Sequence, residues 1–524
     1  MRKRYVRGAW LIALALITSI EAAGTGVPLV DAVKQRHHDA VRALLKQRVD
    51  VNTPEVDGTT ALHWAVRADD REIAQLLLGA GAKANAANRY GVTPLSLAAT
   101  NGSAAAIEML LKAGADPETA NAEGETVLMT AARTGSVDSV RVLAARGANV
   151  NAKESWLGET ALMWAAAENH AAVVRALVEL GADFNARSEV EDAPVLEFPR
   201  SGGPNAVFPR GGWTPLMYAA RDGALEAARV LVELGADLNA TALPQTDVVL
   251  TPAVKRAADH IGTTALVFAI INVHYDLAAM LLEEGADPNV ADTSGMAALY
   301  AAVDMSTLQW TQGRPAPILT DVLDGASLVK LLLESGADPD AKLKAAPLKR
   351  HHDAATTLNF GAGTTPLMRA ARTNDVAVMR LLLDAGADPF LTQPDRTTVL
   401  MLAAGQGWNG VRGEGPRIPV PTEAGAARAV ELLLDWGLDI NAVNAAGNTA
   451  LHGAVGRGDS VVRLLAERGA DVNAKNRAGQ TALDLALGVG GRRGGRGVVR
   501  ESTAALLRQL MGSKAPAETP ASPQ

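Results

Sequence analysis

A phrase of eight residues returns along this chain at a nearly constant interval. It opens at Gly58, Gly91, Gly124 and Gly158, so successive copies are evenly spaced to within one position. Each copy continues with a Thr, a Leu and an Ala at the same offsets. Further copies open at Gly212, Gly262, Gly363, Gly447 and Gly479, with weaker ones at Gly295 and around Arg396. A repeat period of about 33 residues predicts a linear stack of similar units instead of one central core.

The composition agrees with stacked helices and excludes several kinds of site. At 524 residues the chain is far longer than a single hydrophobic core supports. Apolar residues make up 48% and aromatic ones only 4%, so burial rests on Leu, Val and Ala, which favours closely packed helices. The absence of Cys excludes disulfides, Cys-ligated metal sites and a catalytic Cys. A net charge of −7 argues against nucleic acid as a partner.

Each unit has the residues that begin and end two short helices. Thr60 and Thr93 are suited to cap a helix N-terminus, and Pro94 stands at the first helical position, where its missing N–H costs nothing. Leu and Ala three or four residues apart form an apolar stripe. A second helix then ends at Gly-Ala-Asp, for example at Gly114, which is typical of a left-handed C-cap. Such a helix pair buries its apolar faces only against neighbouring pairs.

Two phrases carry a resemblance to a known family. Thr-Pro-Leu-x-x-Ala-Ala and Leu-Leu-x-x-Gly-Ala-Asp-x-Asn-Ala recur in phase from about Pro28 to Gly512, in about twelve units, and the chain thereby resembles the ankyrin-repeat family. The resemblance implies an all-α solenoid of stacked helix-turn-helix repeats, with short β-hairpin fingers between the pairs. It also implies a non-catalytic protein–protein interaction scaffold with no cofactor, which binds its partner through a concave groove, its fingers and its inserted loops.

Departures from the period divide the chain into regions. The glycines of the second phrase keep the regular interval from Gly81 to Gly181, but each of the next five steps, up to Gly437, is about half as long again. These steps carry insertions rich in Pro and Gly, which are either binding loops or passive decoration. The predicted regions are a signal peptide (1–24), an N-terminal capping repeat (25–57), regular repeats (58–186), repeats with inserted loops (187–446), C-terminal repeats with a cap (447–512) and a disordered tail (513–524).

The first 24 residues have the pattern of an export signal. Arg2, Lys3 and Arg4 precede an apolar stretch at 9–20, and small residues follow at 22–24. Twelve helical residues rise only about 18 Å, too little to cross a hydrocarbon core of about 30 Å. We expect cleavage and a periplasmic or extracellular protein of bacterial type, with an uncleaved membrane anchor as the alternative. No later stretch reaches 18 uninterrupted apolar residues, so no membrane span is expected after cleavage.

Patterns of catalysis and metal binding are weak in this chain. Arg36-His37-His38-Asp39 recurs at 350–353, but adjacent histidines on a helix point about 100° apart and form no ready ligand pair. No Gly-x-Ser-x-Gly, His-Glu-x-x-His or phosphate-loop pattern occurs. We therefore expect no catalytic residue, no cofactor-binding residue and no metal ligand. An enzyme or cofactor binder built from the inserted loops is the alternative.

One position of the first phrase, two residues after its Leu, collects large side chains. We predict that its aromatic residues are core residues between adjacent repeats; they are Trp64, Trp164, Tyr218 and Phe268. Arg369 has the same position, and a buried guanidinium needs a partner. Its charged end either reaches solvent or anchors the inserted finger nearby. The resemblance further implies that His63 and His452 form hydrogen bonds between neighbouring fingers.

The resemblance implies that finger tips and the ends of first helices bind partners. Tips cannot bury an aromatic ring, so Tyr90, Trp156 and Trp213, with Arg89, are predicted contacts; the alternative is that Trp156 and Trp213 pack on the insertion at 187–211. The end of the first helix holds an arginine in four units, namely Arg67, Arg133, Arg221 and Arg372. A positive stripe on a negative protein predicts an acidic partner segment, unless these arginines only cover their neighbours. We expect a monomer that binds another protein, with a secreted effector acting inside another cell as the alternative.

Overall fold

The computed structural model describes residues 27–189, 211–242, 262–307, 321–345, 361–406, 422–489 and 498–513. The predicted signal peptide, most of each insertion and nearly all of the predicted tail lie outside the described residues. The described ranges contain 24 short helices. In chain order they are α1 (Pro28–Lys34), α2 (His38–Lys46), α3 (Ala61–Arg67), α4 (Arg71–Gly79), α5 (Pro94–Thr100), α6 (Ala104–Lys112), α7 (Val127–Arg133), α8 (Val137–Ala145), α9 (Ala161–Ala167), α10 (Ala171–Glu179), α11 (Pro215–Asp222), α12 (Leu225–Glu233), α13 (Ala265–Ile271), α14 (Tyr275–Glu283), α15 (Ala298–Thr307), α16 (Gly325–Glu334), α17 (Pro366–Thr373), α18 (Val376–Asp384), α19 (Val399–Ala403), α20 (Glu423–Asp435), α21 (Ala450–Ala454), α22 (Asp459–Glu467), α23 (Ala482–Ala486) and α24 (Glu501–Ser513).

The sequence signals for helix ends act where they were expected. Thr93 caps α5: its Oγ1 accepts the Ser96 N–H at 3.2 Å, while Ser96 Oγ accepts the Thr93 N–H at 3.0 Å. Pro94 follows as the first helical residue. The paired helix α6 ends before Gly114, whose φ of 88° lies in the left-handed region that favours glycine. Each unit of sequence therefore folds as a helix, a tight turn and a second helix.

The described chain divides into two compact units. Unit 1 contains the described residues from 27 to 236, and unit 2 contains those from 237 to 513. In unit 1 each first helix packs on the first helix of the next pair, and the second helices form the other layer. The first helices of unit 1 are α1, α3, α5, α7, α9 and α11. Leu62, Ile73, Leu95 and Ile107, from the first and second helices, are almost completely buried.

Unit 2 repeats this arrangement with different helices. Its first helices pack one on the next in the order α13, α15, α17, α19, α21 and α23. Its second helices α14, α16, α18, α20, α22 and α24 make the matching row. Because every helix pair leans on its neighbours, burial is distributed along each unit and does not converge on one centre.

The fingers between helix pairs are smaller than the β-hairpins that were predicted. Among the described residues, β-pairing is limited to isolated bridges, such as Ala120 with Thr126. A finger is a tight turn closed by a few bonds, as where the Asn88 N–H donates to the Val92 carbonyl at 3.0 Å and the Gly91 N–H donates to the Asn88 carbonyl at 2.9 Å. Arms this short leave no room for a ladder. Neighbouring fingers are hydrogen-bonded to each other, for example by the Arg89 N–H to the Asp57 carbonyl at 2.9 Å and by Asn88 Nδ2 to Thr59 Oγ1 at 3.3 Å.

Asparagine side chains connect successive repeats just after the C-terminal ends of the second helices. Asn85 Nδ2 donates to the Gly114 carbonyl at 2.7 Å, and Asn85 Oδ1 accepts the Asp116 N–H at 2.8 Å. Asn52 and Asn151 make the same pair of bonds with the following repeat. One amide thus satisfies a donor and an acceptor left over at a helix C-terminus.

His63 and His452 each form hydrogen bonds between neighbouring repeats, as the resemblance implied. His63 Nδ1 accepts the Thr60 N–H at 3.1 Å, so its proton is on Nε2, which donates to the Val92 carbonyl at 3.0 Å. His452 makes the equivalent bonds with Thr449 and Gln480. Burial lowers the pKa of both histidines below the ordinary value of 6.5. Both are therefore neutral members of the helix caps.

None of the helices in the described ranges combines the length and the hydrophobicity that crossing a membrane requires.

Candidate functional site

The first helices of unit 1 present large side chains at their fourth and seventh residues. Residues three apart share one face of a helix, so these two positions form a single surface, the first-helix face of unit 1. Trp64, Trp164 and Tyr218 are fourth residues, in α3, α9 and α11. The seventh residues of α1, α3, α7 and α11 are cations, namely Lys34, Arg67, Arg133 and Arg221.

Trp64 lies between two cations at one end of this face. Lys34 Nζ lies 4.4 Å from the centre of its ring, and the Arg67 guanidinium carbon lies 5.3 Å from it. The indole N–H donates to Glu55 Oε2 at 2.6 Å, and Glu55 also pairs with Lys34 at 2.5 Å. The ring is thus held by a hydrogen bond at its edge and by cation–π contacts.

Trp164 repeats this geometry three helix pairs further along. Its indole N–H donates to Glu159 Oε2 at 2.7 Å, and the Arg133 guanidinium carbon lies 4.8 Å from the ring centre. Arg133 in turn pairs with Glu125 at 3.1 Å. In both clusters the seventh residue of one first helix reaches the fourth residue of a later first helix in the row, since Lys34 contacts Trp64 and Arg133 contacts Trp164.

A third aromatic cluster lies at α11, the last of the first helices of unit 1. Trp213 and Tyr218 meet edge to face with ring centres 5.5 Å apart. The Arg221 guanidinium carbon lies 5.3 Å from the Trp213 ring centre and 5.0 Å from that of Tyr218. Asp222 accepts two hydrogen bonds from Arg221, at 2.9 and 2.6 Å. Burial raises the pKa of the Tyr218 hydroxyl, which therefore stays protonated as a donor.

Models of known families match most of this chain. The matches are "Ankyrin repeats (3 copies)" at 29–121, 95–188, 321–412 and 422–493, "Ankyrin repeats (many copies)" at 162–232 and "Ankyrin repeat" at 261–293. The chain belongs to the ankyrin-repeat family. The family and the all-α repeat solenoid predicted from the sequence are thereby confirmed. Ankyrin repeats are protein-interaction scaffolds, and the family is typically non-catalytic.

Two curated relatives share part of their length with this ankyrin-repeat protein. The ankyrin repeat protein nuc-2 of Neurospora crassa is 30% identical over 220 residues, which is 41% of this chain. The E3 ubiquitin-protein ligase KEG of Arabidopsis thaliana is 25% identical over 292 residues, which is 47% of this chain. The matched regions span only 18% and 16% of those longer proteins.

The aromatic residues of this ankyrin-repeat protein are less buried than predicted. Tyr218 is buried, as expected of a core residue. Trp64, Trp164 and Phe268 are only half-buried, and the prediction that they are core residues is wrong for these three. The same position is buried at Tyr218 and Arg369, so the position in the repeat does not by itself decide how much of the side chain is exposed.

Neighbouring carboxylates neutralise part of the positive charge of the predicted arginine stripe. Arg67, Arg133 and Arg221 share the first-helix face of unit 1, and the carboxylates of Glu125 and Asp222 pair with the last two. Among the described residues, no carboxylate lies within ion-pair distance of Arg67. The face is therefore rich in aromatic rings and close to neutral, which differs from the positive stripe that the spacing indicated.

Arg372 departs from the prediction most clearly. It lies in unit 2 as the seventh residue of α17, but it is only 4% exposed. Its Nη1 donates to the Gln406 carbonyl, and its own carbonyl accepts a bond from Arg457 Nη2 at 2.6 Å. Burial, followed by the charges of Arg457 and Arg369, lowers the pKa of Arg372 to about 10. A side chain enclosed in this way is not available to a partner, which corrects its assignment as a contact residue.

Arg369 has a partner that neither sequence hypothesis named. Its side chain is 1% exposed, and its Nε donates to Asp304 Oδ1 at 2.6 Å. Asp304 is the seventh residue of α15 and Arg369 the fourth of α17, so this ion pair uses the same contact as Lys34 with Trp64. The guanidinium does not reach solvent, and the preceding first helix supplies it with a carboxylate; most of the inserted finger nearby lies outside the described residues, so its role as an anchor stays a prediction.

Arg89, Tyr90 and Trp156 lie exposed at finger tips, as predicted, whereas Trp213 is half-buried against Tyr218. Tyr90 is 62% exposed and Trp156 is 69% exposed. Arg89 stacks on Tyr90, with its guanidinium carbon 4.8 Å from the ring centre, and donates to the Tyr90 hydroxyl at 2.6 Å. Most of the insertion at 187–211 lies outside the described residues, so its packing on Trp156 stays a prediction.

No group of side chains in the described ranges has the makeup of a metal site. His38 instead lies between two carboxylates, with Nε2 3.0 Å from Asp70 and Nδ1 3.1 Å from Glu72. The second histidine pair, at 351–352, lies outside the described residues. Sequence reasoning missed Lys34 and the two glutamates that hold the indoles, Glu55 and Glu159, although Glu159 stands directly before the capping Thr160 of its repeat.

Proposed function

We propose that this ankyrin-repeat protein binds a segment of another protein on the first-helix face of unit 1. The observation that carries the proposal is the set of indole rings that are half-buried and stacked with cations, at Trp64, Trp164 and Trp213. Trp and Arg supply much of the energy at protein interfaces. Because neighbouring residues already hold these side chains, a partner loses little affinity to ordering them.

The partner segment that suits this face is apolar, with an acidic residue near Arg67. Arg67 is exposed, and no carboxylate among the described residues is within ion-pair distance of it. Leu97, the fourth residue of α5, is half-buried on the same face, and Val92 is half-buried just before that helix. An acidic side chain at Arg67 with apolar side chains beside it would gain both a charge pair and burial of apolar area.

The test is a photo-crosslinking residue placed at two sites of the full-length protein. Thr100 is exposed at the end of α5 on the proposed face, and Lys112 is exposed at the end of the paired helix α6. We expect a partner protein from the native compartment to crosslink at Thr100 and not at Lys112. Equal crosslinking at both sites would contradict the proposal.

Affinity for the crosslinked partner then tests the rings directly. Trp164→Ala should weaken binding about thirtyfold, because an interface hot spot is worth about 2 kcal/mol. Arg67→Glu should weaken it about tenfold through charge repulsion. Arg141→Glu is the matched control, since Arg141 is an exposed arginine of the second helix α8. Unchanged affinity in the first two variants, or an equal loss in the control, would refute the proposal.

We also propose that residues 1–24 direct export and are removed, and that the mature protein is a monomer. The basic start followed by a largely apolar stretch of twelve residues supports export. The measurement is the N-terminal peptide and the mass in solution of protein recovered from outside the cytoplasm. An N-terminal peptide that still begins at Met1, or a mass twice that of the mature chain, would contradict the respective part.

A further inference from the structure

A cleft of about 520 Å³ lies between the second helices α18 and α20 of unit 2. Its apolar lining consists of Val376, Ala377 and Leu432. Arg380 from α18 and Arg428 from α20 line it, together with the carboxylates of Glu431 and Asp435. The volume is within the range of small-molecule sites, about 300–1,000 Å³.

Two of the arginines at the equivalent position are neutralised by the next second helix, whereas Arg229 has no carboxylate within ion-pair distance among the described residues. In unit 1, Arg141 pairs with Glu179 at 2.6 Å, and Arg175 pairs with Glu233 at 2.5 Å. In each case the arginine stands six residues before the glycine that ends its helix, and the glutamate stands two residues before the next such glycine. Arg380 occupies the same position before Gly386, and this rule assigns Asp435 as its partner.

Arg468 pairs with Asp435 instead. It follows α22 and donates to Asp435 Oδ1 at 3.0 Å and to Glu431 Oε1 at 3.3 Å. Both carboxylates of the cleft are thereby held by one arginine from outside it. Arg380 and Arg428 are exposed, and among the described residues no carboxylate lies within ion-pair distance of either. Arg380 and Arg428 therefore face the cleft without a direct ion pair, while the two carboxylates that line it are paired with Arg468.

We propose that this cleft binds a phosphomonoester, with Arg380 and Arg428 on the phosphate and the organic part on the apolar lining. A phosphomonoester has about −1.5 to −2 charges at neutral pH, which two guanidinium groups balance. The planar guanidinium forms paired hydrogen bonds with phosphate oxygens. Val376, Ala377 and Leu432 offer the ester carbons a contact that inorganic phosphate cannot use. This site is separate from the first-helix face of unit 1 and does not depend on its function.

Chemical modification of the full-length protein by phenylglyoxal, followed by peptide mass spectrometry, tests the site at each arginine. Phenyl phosphate at ten times its dissociation constant should slow modification of Arg380 and Arg428 about tenfold. Arg141 and Arg175 are internal controls whose rates should not change. Inorganic phosphate at the same concentration should protect less. Equal protection by inorganic phosphate would overturn the ester assignment, and absent or uniform protection would overturn the site.

Charge variants give a second readout with opposite signs. Arg380→Gln with Arg428→Gln should abolish the rise in melting temperature that phenyl phosphate causes, whereas Arg141→Gln with Arg175→Gln should keep it. Asp435→Asn should enlarge that rise, because it removes a negative charge from the cleft. A rise that survives loss of Arg380 and Arg428, or that shrinks in Asp435→Asn, would overturn the proposal even if every variant folds normally.

Discussion

Removal of the Asp304 carboxylate tests the contact between seventh and fourth residues of successive first helices. Asp304 accepts a hydrogen bond from Arg369 Nε at 2.6 Å, and the Arg369 side chain is 1% exposed. At an effective dielectric constant of about 20, opposite unit charges 2.6 Å apart attract by about 6 kcal/mol, which desolvation partly offsets. Breaking a buried pair costs about 3–5 kcal/mol, and we expect about 3 for Asp304→Ala because Asp304 is 21% exposed.

A double variant separates the ion pair from simple loss of packing. Leu is the fourth residue of α5 and α19, at Leu97 and Leu402, so Arg369→Leu should fit its position. Arg369→Leu combined with Asp304→Ala leaves no buried charge behind. It should therefore be more stable than Asp304→Ala alone, with a coupling free energy of about 2 kcal/mol.

The assay is urea unfolding of the full-length chain with hydrogen exchange read by peptide. Repeat proteins open unit by unit, so exchange should accelerate in α15 and α17 before it changes in α21 and α22. A free-energy loss below about 1 kcal/mol in Asp304→Ala would place the pair among exposed salt bridges and refute the reasoning. A double variant no more stable than the single one would refute it equally.

Three smaller predictions follow from particular positions of the repeat. Phe390 stands where other repeats have the bridging asparagine, so Phe390→Asn should let the amide accept the Asp439 N–H and raise stability to urea by about 0.5–1 kcal/mol; no gain would contradict this. Asp340 accepts the Asp388 N–H at 3.0 Å, and burial raises its pKa above the ordinary 3.8. The contribution of the Asp340 side chain to stability is complete below pH 3.8 and is lost as the pH rises through the higher pKa of the folded state. Asp340→Asn should therefore raise the melting temperature more at neutral pH than in acid. An equal rise at both pH values would contradict this. Burial lowers the pKa of His63 below 6.5, so its contribution to stability is complete above pH 6.5 and is lost as the pH falls through the pKa of the folded state. His63→Gln should therefore reduce the fall in melting temperature between neutral pH and mild acid. An unchanged pH profile would contradict this.

Local signals in the sequence were sufficient to predict the helix pairs. Thr93, Pro94 and Gly114 act within a few residues of themselves, so their roles follow from short-range stereochemistry. The period then placed successive pairs in contact without knowledge of any distant residue. The fingers were overestimated because the family pattern implies hairpins, whereas the length of each arm decides how many bonds can form.

The character of the site depends on contacts that cross repeats, which equal spacing does not reveal. Arg67 and Arg372 have the same position in the repeat, yet one is exposed and the other is buried beside Arg457. The difference lies in residues of other helices, which the repeat pattern treats as equivalent. Trp64 likewise gains its partners from Lys34 and Glu55, one repeat earlier and in a finger. Spacing therefore identified the face, and the neighbours set its charge and exposure.

Charge pairing on the first-helix face decides how binding should respond to salt. If Arg67, Arg133 and Arg221 acted as an unpaired stripe, each contact with an acidic partner would weaken as the Debye length falls from about 10 Å at 0.1 M to 3 Å at 1 M ionic strength. Glu125 and Asp222 already supply counter-charges to Arg133 and Arg221, whereas no described carboxylate does so for Arg67. Arg67→Gln should therefore remove most of the salt dependence of partner affinity, and Arg133→Gln should leave it in place. The reverse result would mean that the ion pairs open on binding and that the partner recognises the cations instead of the rings.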